Sequence, residues 1–515
     1  MPRQGNIKEI KQINFWSGMV NDPHSILASG IYYTENLKVG DGKSLKQVVN
    51  NQSENACGYN VNNYVTKVII SGGTLYALGQ NNATDKDTTI WTKSCTLTGM
   101  WGTMAVSTIS NTTFRAGDSL FASINNVLFM DGGTDYIAKY TIAGNTMNGT
   151  WKAMTGGLKG GTIWQGRIYG WDVNNYIYEI DPVADTLTQK ILIPAEQTPV
   201  QIVPFGNLLA IICTSSVTVS KAYLWDGVAN TTFTEILNIG YGDVSGGGIL
   251  EGILYAIINS GNARTLKIKK YAGGLDFSTA FTYSARPDRA KIYAYIKGAS
   301  KVKSREGFIY FIITGTKPDG TYASYYEYAI ARYGRNEPVN PMTFSIYKTL
   351  DFTSARGING QTNNNDFEIL ENILGTYEQD EKNIISFINS DTNKTTEFIS
   401  SINDFSGQSG IIETFKFNGD DNSKEKRLMG VSAFYSSLSS TGQVVMKYRK
   451  DEETSWTQIF SDSTDNALSY QANCIEGTWA VLPTFKEIQL RFEIKGGTEF
   501  TGYKIKYEEL PSQGY

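Results

Sequence analysis

One short phrase recurs along this chain and constrains its fold more than any other feature. A Gly or polar turn is followed by two or three apolar or aromatic residues and then a small or aromatic one. It reads Gly73-Thr74-Leu75-Tyr76-Ala77-Leu78, Asp118-Ser119-Leu120-Phe121-Ala122 and Gly166-Arg167-Ile168-Tyr169-Gly170-Trp171. It returns as Gly206-Asn207-Leu208-Leu209-Ala210-Ile211, Gly252-Ile253-Leu254-Tyr255-Ala256-Ile257 and Gly307-Phe308-Ile309-Tyr310-Phe311-Ile312. Taking Leu75, Leu120, Ile168, Leu209, Leu254 and Ile309 as equivalent gives steps of 45, 48, 41, 45 and 55 residues. Short strands repeated every ~40–50 residues are what four-stranded propeller blades produce. Helical solenoids share such periods but need apolar residues at 3.6-residue spacing, and the runs here are short and bounded by Gly, Asn and Asp.

Each phrase is followed by a strand that ends in an aromatic and a turn, as in Tyr176-Ile177-Tyr178-Glu179-Ile180-Asp181-Pro182, Ala222-Tyr223-Leu224-Trp225-Asp226-Gly227 and Lys269-Lys270-Tyr271-Ala272-Gly273-Gly274. In a radial blade small residues belong near the axis and aromatics between blades. The expected fold is therefore all-β, a six- or seven-bladed β-propeller followed by a C-terminal β-sandwich. Six blades are clear, and residues 344–400 supply a seventh or complete a ring with an N-terminal strand.

Beyond Gly407 the texture changes to Gly, Ser, Asn and Asp, which reads as a linker over 408–422. Alternating strands follow at Val431–Tyr435, Val444–Arg449, Ile488–Ile494 and Tyr503–Tyr507. Period-two alternation means one buried and one wet face, as in a sandwich. The expected division is 1–66 as an N-terminal arm with propeller-closing strands, 67–407 as propeller, 408–422 as linker and 423–515 as sandwich.

Composition agrees with a turn-rich, strand-rich chain. Gly (51) and Asn supply the positive φ of tight hairpins, and 31 Tyr suit pleated surfaces. Charged residues make up 19% and nearly balance, for a net charge of −4. A general nucleic-acid or anionic-membrane surface needs a concentrated positive field, so no sequence-specific nucleic acid is expected as a partner. Residues 1–20 lack a continuous apolar run, and no stretch approaches the ~18–20 apolar residues of a membrane span, so neither a signal peptide nor a span is expected. Cys57, Cys95, Cys213 and Cys474 lack metal spacing and read as scattered buried thiols, with a long-range disulfide as the alternative.

Chemistry is hard to build from this sequence. The sole histidine, His24, lies in Asn21-Asp22-Pro23-His24, without a nucleophile elbow to serve. Gly42-Lys43-Ser44 has Leu37 where a phosphate loop requires glycine, so Gly40-Asp41-Gly42 reads as a hairpin turn. Asp451-Glu452-Glu453-Thr454-Ser455-Trp456 resembles the Asp-box of sialidase-like propellers, but in one copy and in the sandwich. It reads as a turn with Trp456 covering the core. Asn418-Gly419-Asp420-Asp421-Asn422 offers oxygens to calcium but lacks the closing acidic ligand, and reads as solvated. Trp91, Trp101, Trp151, Trp164, Trp171 and Trp225 are the pool for stacking on sugars, though large aromatics more often pack between blades. No catalytic, cofactor-binding or metal-ligating residue is assigned, no cofactor is expected, and the chain is expected not to be an enzyme.

The opening Asn14-Phe15-Trp16-Ser17-Gly18-Met19-Val20-Asn21-Asp22-Pro23, with Gly30-Ile31-Tyr32-Tyr33-Thr34-Glu35-Asn36-Leu37-Lys38-Val39, resembles the start of tailed-bacteriophage virion proteins in which a propeller follows. Lys426–Val431, Val445–Arg449 and Glu487–Phe492 resemble their C-terminal sandwich. The group includes packaged-DNA-stabilisation (tail hub) proteins and propeller-bearing tail-tip or fibre proteins. Gly40-Asp41-Gly42 departs from it, standing where Pro-Gly is usual. The resemblance implies a structural subunit of the virion tail, made in the host bacterial cytoplasm. As a cyclic homo-oligomer it would contact portal, adaptor, nozzle or tail-tip subunits. Two alternatives stay open: a receptor- or glycan-binding tail fibre that takes a host-surface glycan, and a carbohydrate-active propeller enzyme with paired carboxylates at its axis.

Overall fold

The computed structural model describes residues 120–284 almost throughout, much of 302–350 and 409–510, and elsewhere the strands named below with a few neighbours. All regular structure among these residues is β-strand. From Tyr64 to Leu350 the chain lays down antiparallel sheets one after another. Sheet A comprises Tyr64–Ser71, Thr74–Gln80, Thr88–Ser94 and Gly102–Ile109. Sheet B follows with Phe121–Ile124, Val127–Asp131, Tyr136–Thr141 and Thr146–Ala153. Sheet C has Lys159–Trp164, Arg167–Trp171, Tyr176–Asp181 and Thr186–Leu192.

A six-stranded sheet comes next, built from Thr198–Phe205, Leu208–Trp225, Glu235–Leu250, Ile253–Ser260, Thr265–Lys270 and Ser278–Ser284. Its two long strands change partners midway. Residues 235–240 pair back onto 220–224, whereas 243–250 pair forward onto Ile253–Ser260. We call the two halves D and E. Sheet F holds Lys303–Arg305, Phe308–Thr316, Tyr326–Gly334 and Thr343–Leu350, with Ile292–Tyr295 also on Phe308–Thr316.

The first two strands of each sheet are joined by a two-residue turn. Asn125-Asn126, Gln165-Gly166 and Glu251-Gly252 have positive φ at both positions, as the tightest hairpins demand. This revises one equivalence. Leu120 precedes the first strand of sheet B, and Leu128 occupies the second-strand position held by Leu75, Ile168, Leu209, Leu254 and Ile309. The turn before Leu128 is made by two asparagines in place of glycine, and Asn tolerates the left-handed region well enough to hide the repeat.

First strands of successive sheets lie side by side, and hydrogen bonds cross from sheet A to B and along the series from C to F. The Ser123 hydroxyl donates to Ser71 Oγ at 2.7 Å, Thr162 Oγ1 donates to the Ile202 carbonyl at 2.6 Å, Gly247 N donates to Gln201 Oε1 at 3.0 Å, and Ile249 N donates to Ser304 Oγ at 2.9 Å. Glycines 161, 247 and 248 allow these strands to crowd together, and a Cβ on Gly161 would press on the Phe121 carbonyl of the neighbouring sheet.

Opposite faces of one sheet belong to different cores. In sheet C, Ile168 and Ile180 pack toward sheet B with Phe129, Ile137 and Trp151, while Tyr169, Trp171 and Ile177 pack toward sheet D with Leu209, Tyr223 and Trp225. Sheet D turns its other face, Ala210, Ile212 and Leu224, to Leu254, Ala256 and Ile258 of sheet E. Each such buried Leu, Ile or Phe contributes about 1.5–3 kcal/mol. A further sheet, G, pairs Ile385–Asn389 with Thr395–Ile399 and the latter with Asn51–Ser53 from the N-terminal part.

The C-terminal module is two sheets across one core. One contains Lys426–Tyr435 and Glu499–Glu509 side by side. Gln471–Cys474 and Thr484–Phe485 lie on the first of these. Ile7–Gln12 and Leu45–Gln47 lie on the second, with Leu37–Lys38 beyond. The other sheet runs through Gly410–Glu413, Ile488–Lys495, Gln443–Lys450 and Thr457–Asp462. Val431, Ile505 and Phe500 from one face Ile412, Val444, Met446, Phe492 and Ile494 from the other. The alternation predicted for these strands holds, with inward residues buried along Ile488–Lys495 and Glu499–Glu509.

The 408–422 stretch is not simply a linker. Gly410–Glu413 is a strand paired on both edges, with Ile412 and Glu413 buried. Its Gly-Ile-Ile-Glu sequence is strand-forming, and the Gly/Ser/Asn/Asp richness around it masked this. The N-terminal arm is likewise part of the C-terminal module, since Phe15, Ile31, Leu37 and Leu45 lie in its core.

Candidate functional surface

No group of three or more His, Cys, Asp or Glu suited to a metal occurs among the described residues. His24, Asp41, Gly42, Lys43, Cys57, Trp101 and Asp420 lie outside the described residues, as do the side chains of Trp91, Cys95 and Cys474. Cys213 is a free, fully buried thiol in the core between sheets C and D, and burial pushes it well above its ordinary pKa. Ser44, beside the rejected phosphate loop, donates to Glu499 on the C-terminal strand.

The stretch considered for calcium is organised around an internal cation. The Lys426 side chain is fully buried, and its ammonium donates to the carbonyls of Asp421 at 2.5 Å, Lys424 at 2.8 Å and Lys486 at 3.4 Å. Desolvation lowers the Lys426 pKa, opposed by Asp421 and Glu509. Asp421 itself is held down to about 2 by the hydroxyl and N–H of Ser423, with help from Lys424. The Asp421 oxygens are thus committed to protein donors. Alternation did signal this, since Lys426 lies two positions before inward Leu428 and so on the same face, although charge alone argued for solvent.

The Asp-box-like turn is a staple, as expected. Asp451 has φ 49° and its Oδ1 accepts from the N–H groups of Lys486 and Glu487 at 2.8 and 3.1 Å. Trp456, however, is half-buried and stacks with the guanidinium groups of Arg449 and Arg491, 4.6 and 5.8 Å from the ring centre, in place of covering the core. Its neighbours Thr457 and Gln458 face solvent, which leaves cations as the ring's packing surface.

Trp151, Trp164, Trp171 and Trp225 are all buried between sheets. Trp164 and Trp225 sit edge-on to Tyr169, and Trp151 Nε1 donates to Asp185 at 3.1 Å. None of the four offers a free face to a sugar. Nor do the first strands of sheets A to F bring carboxylates together: within the stretches lying beside their neighbours, Asp243 is the one acidic residue among those described. Glu179 is buried, but on sheet C's third strand, where Arg167 and Lys190 on the flanking strands neutralise it at 3.2 and 3.0 Å and the Tyr169 hydroxyl donates to it at 2.8 Å. Desolvation pushes the Tyr169 hydroxyl up, and its bond to Glu179 adds to the shift.

Several large apolar side chains are exposed, some on turns and some, such as Val217 and Tyr241, within the long strands where these change partners. Val173, Val217 and Tyr241, the last 78% exposed, share one end of sheets C to E. Gln197 fixes that end: fully buried, it donates through Nε2 to Thr218 Oγ1 at 3.1 Å and the Val219 carbonyl at 2.9 Å. Its own carbonyl accepts from Asn175 Nδ2 at 2.9 Å. Val183, Val228, Leu275 and Val339 project from the turns between the third and fourth strands of sheets C, D, E and F. Sequence periodicity did not single these out, because turn residues lie outside the strand pattern.

No family model matches the chain, and no curated protein matches it. Among solved structures, that of the computationally designed Ika8 protein aligns over 65% of this chain and 96% of its own length, at 11% identity and a TM-score of 0.34. Similarity at that level carries no argument about fold or function. No helix among the described residues is long and apolar enough to cross a membrane.

Proposed function

We propose that this chain is a non-enzymatic structural subunit of a bacteriophage tail complex, a β-propeller with a C-terminal β-sandwich working in a neck, hub or tail-tip ring. The observation that carries the reading is where the phage-like segments lie. Phe15, Ile31 and Leu37 from the opening share one core with Leu428, Val431, Met446, Leu490 and Phe492 from the C-terminal segments. Two stretches of resemblance some 400 residues apart thus belong to one folded unit. The propeller reading is supported by the side-by-side first strands, by cores shared between consecutive sheets, and by sheet G, whose Asn51–Ser53 strand suits closure of a ring of seven. Function then lies in interface area and symmetry.

Light scattering with negative-stain imaging of the purified chain at several concentrations tests this. A closed cyclic ring is expected. A strict monomer at every concentration counts against a self-assembling ring subunit and favours the receptor-binding fibre, for which the exposed Tyr241, Val217 and Val173 are the supporting observation.

A further inference from the structure

The segment Tyr33–Leu37 carries part of the phage-like opening, and its geometry gives it a task that the resemblance does not name. Tyr33–Glu35 is a short strand inserted between two others. Glu35 pairs parallel with Ile346 at the edge of sheet F, while Tyr33, Thr34 and Glu35 pair antiparallel with Glu413, Ile412 and Ile411 of the C-terminal module. Within four residues the chain passes from one hydrophobic core to another. Tyr33 is fully buried with Tyr255, Phe311 and Phe344, and Leu37 is fully buried with Ile412, Val431 and Phe492.

Asn36 stands at the crossing. It is 2% exposed and has φ 56°, a left-handed conformation that Asn accepts more readily than other side-chain-bearing residues. Its Oδ1 accepts from both the N–H and the hydroxyl of Thr349, at 2.7 and 2.9 Å, on the last strand of sheet F. Its Nδ2 donates to the Ser409 carbonyl at 3.1 Å, at the entry to the C-terminal module. The backbone adds a bond from its N–H to the Ile346 carbonyl and one from Val48 N–H to its own carbonyl. One side chain therefore holds sheet F with its oxygen and the C-terminal module with its nitrogen.

We infer that Asn36 is the joint that couples the sheet array to the C-terminal module, so that the two open and unfold as one cooperative unit. Nothing else among the twenty side chains does the same work: Asp has no donor for Ser409, Gly has no amide, and Gln would have to fit one more methylene into a filled site. The coupling is a property of the folded monomer and is read without assembly, so it can fail or hold independently of the virion reading.

Two substitutions separate the halves of the joint. Asn36→Asp keeps the oxygen that Thr349 bonds and sets a carboxylate oxygen against the Ser409 carbonyl. Asn36→Gly keeps the left-handed backbone and removes both halves. Scanning calorimetry and hydrogen exchange on the full chain are the readouts. The wild type should melt in one transition, with amides of Thr343–Leu350 and Gly410–Glu413 exchanging through a shared opening. In both variants the transition should split, and Gly410–Glu413 should exchange at least ~10-fold faster than Thr343–Leu350. A single transition in both variants with unchanged relative exchange overturns the inference. If neither variant folds, the wild type still decides: exchange at the two strands differing by more than ~10-fold overturns the coupling, and a shared rate supports it.

Discussion

Replacing Lys426 by Met keeps the length of the side chain and removes its charge, which makes it a sharp test of the internal cation. In the wild type two short charge-assisted bonds, to the carbonyls of Asp421 and Lys424, do most of the bonding, and the 3.4 Å contact to Lys486 adds little. Bonds to a charged group contribute about 1.5–3 kcal/mol each, and a buried carbonyl left without a donor costs about 1–3 kcal/mol. Against this, removing a fully buried ammonium recovers a desolvation penalty of several kcal/mol. The balance is a net loss of about 2–4 kcal/mol, since two carbonyls are orphaned and only one charge is relieved. With a urea dependence of about 2 kcal/mol per molar, the midpoint of the unfolding transition should fall by about 1–2 M. Far-ultraviolet circular dichroism during urea titration reads the shift. A variant as stable as the wild type, or more stable, would refute the reasoning, because it would mean that the ammonium costs as much to bury as its bonds return.

Acid should unfold the protein through a defined set of carboxylates. Asp185 is lowered by its bond from Lys139, Glu251 by Arg335 and Glu509 by Lys8, and Asp421 lies at about 2. Folded values below the unfolded ones mean that their contribution is complete above about pH 4.5 and lost as pH falls toward 2. Glu251→Gln should flatten that part of the stability–pH curve followed by fluorescence, with its loss of stability full at neutral pH and vanishing toward pH 2. Gly242→Ala should cost about 2 kcal/mol or more in thermal unfolding, because at φ 128° a Cβ would be driven into the Asn259 carbonyl. Trp225→Ala should cost about 3–5 kcal/mol by emptying the core between sheets C and D. With wild-type protein, acrylamide should quench the buried tryptophans weakly, and added monosaccharides should change that little; strong sugar protection would revive the glycan reading.

The array was legible in the sequence because two local rules coincide there. Positive-φ turns at Gln165-Gly166 and Glu251-Gly252 and the apolar run after each recur at a steady spacing, and the structure puts those runs on second strands. The rule failed at Leu120 because the glycine it looks for is replaced by Asn125-Asn126. It failed again at Gly410–Glu413, where four residues are too few to show alternation and the pairing comes from Tyr33–Glu35, almost 380 positions earlier. Burial of Glu179 and Gln197 was hidden for a related reason: each is satisfied by partners on other strands that the fold brings near. The exposed turn residues gave no periodic signal at all.

Asn51–Ser53 pairs with Ile399 and its neighbours, and Ile7–Gln12 pairs with 503–508, so each of these early strands waits for a partner that the ribosome makes much later. Throughout translation the early strands have open edges, while sheets B and C, whose neighbours in space are also neighbours in sequence, can form as they emerge. Such long-range closure is slow, and an unpaired strand during the delay invites association between nascent chains. Slow elongation or chaperone capture of the first sixty residues should therefore raise the yield of native protein more than any change to the array itself.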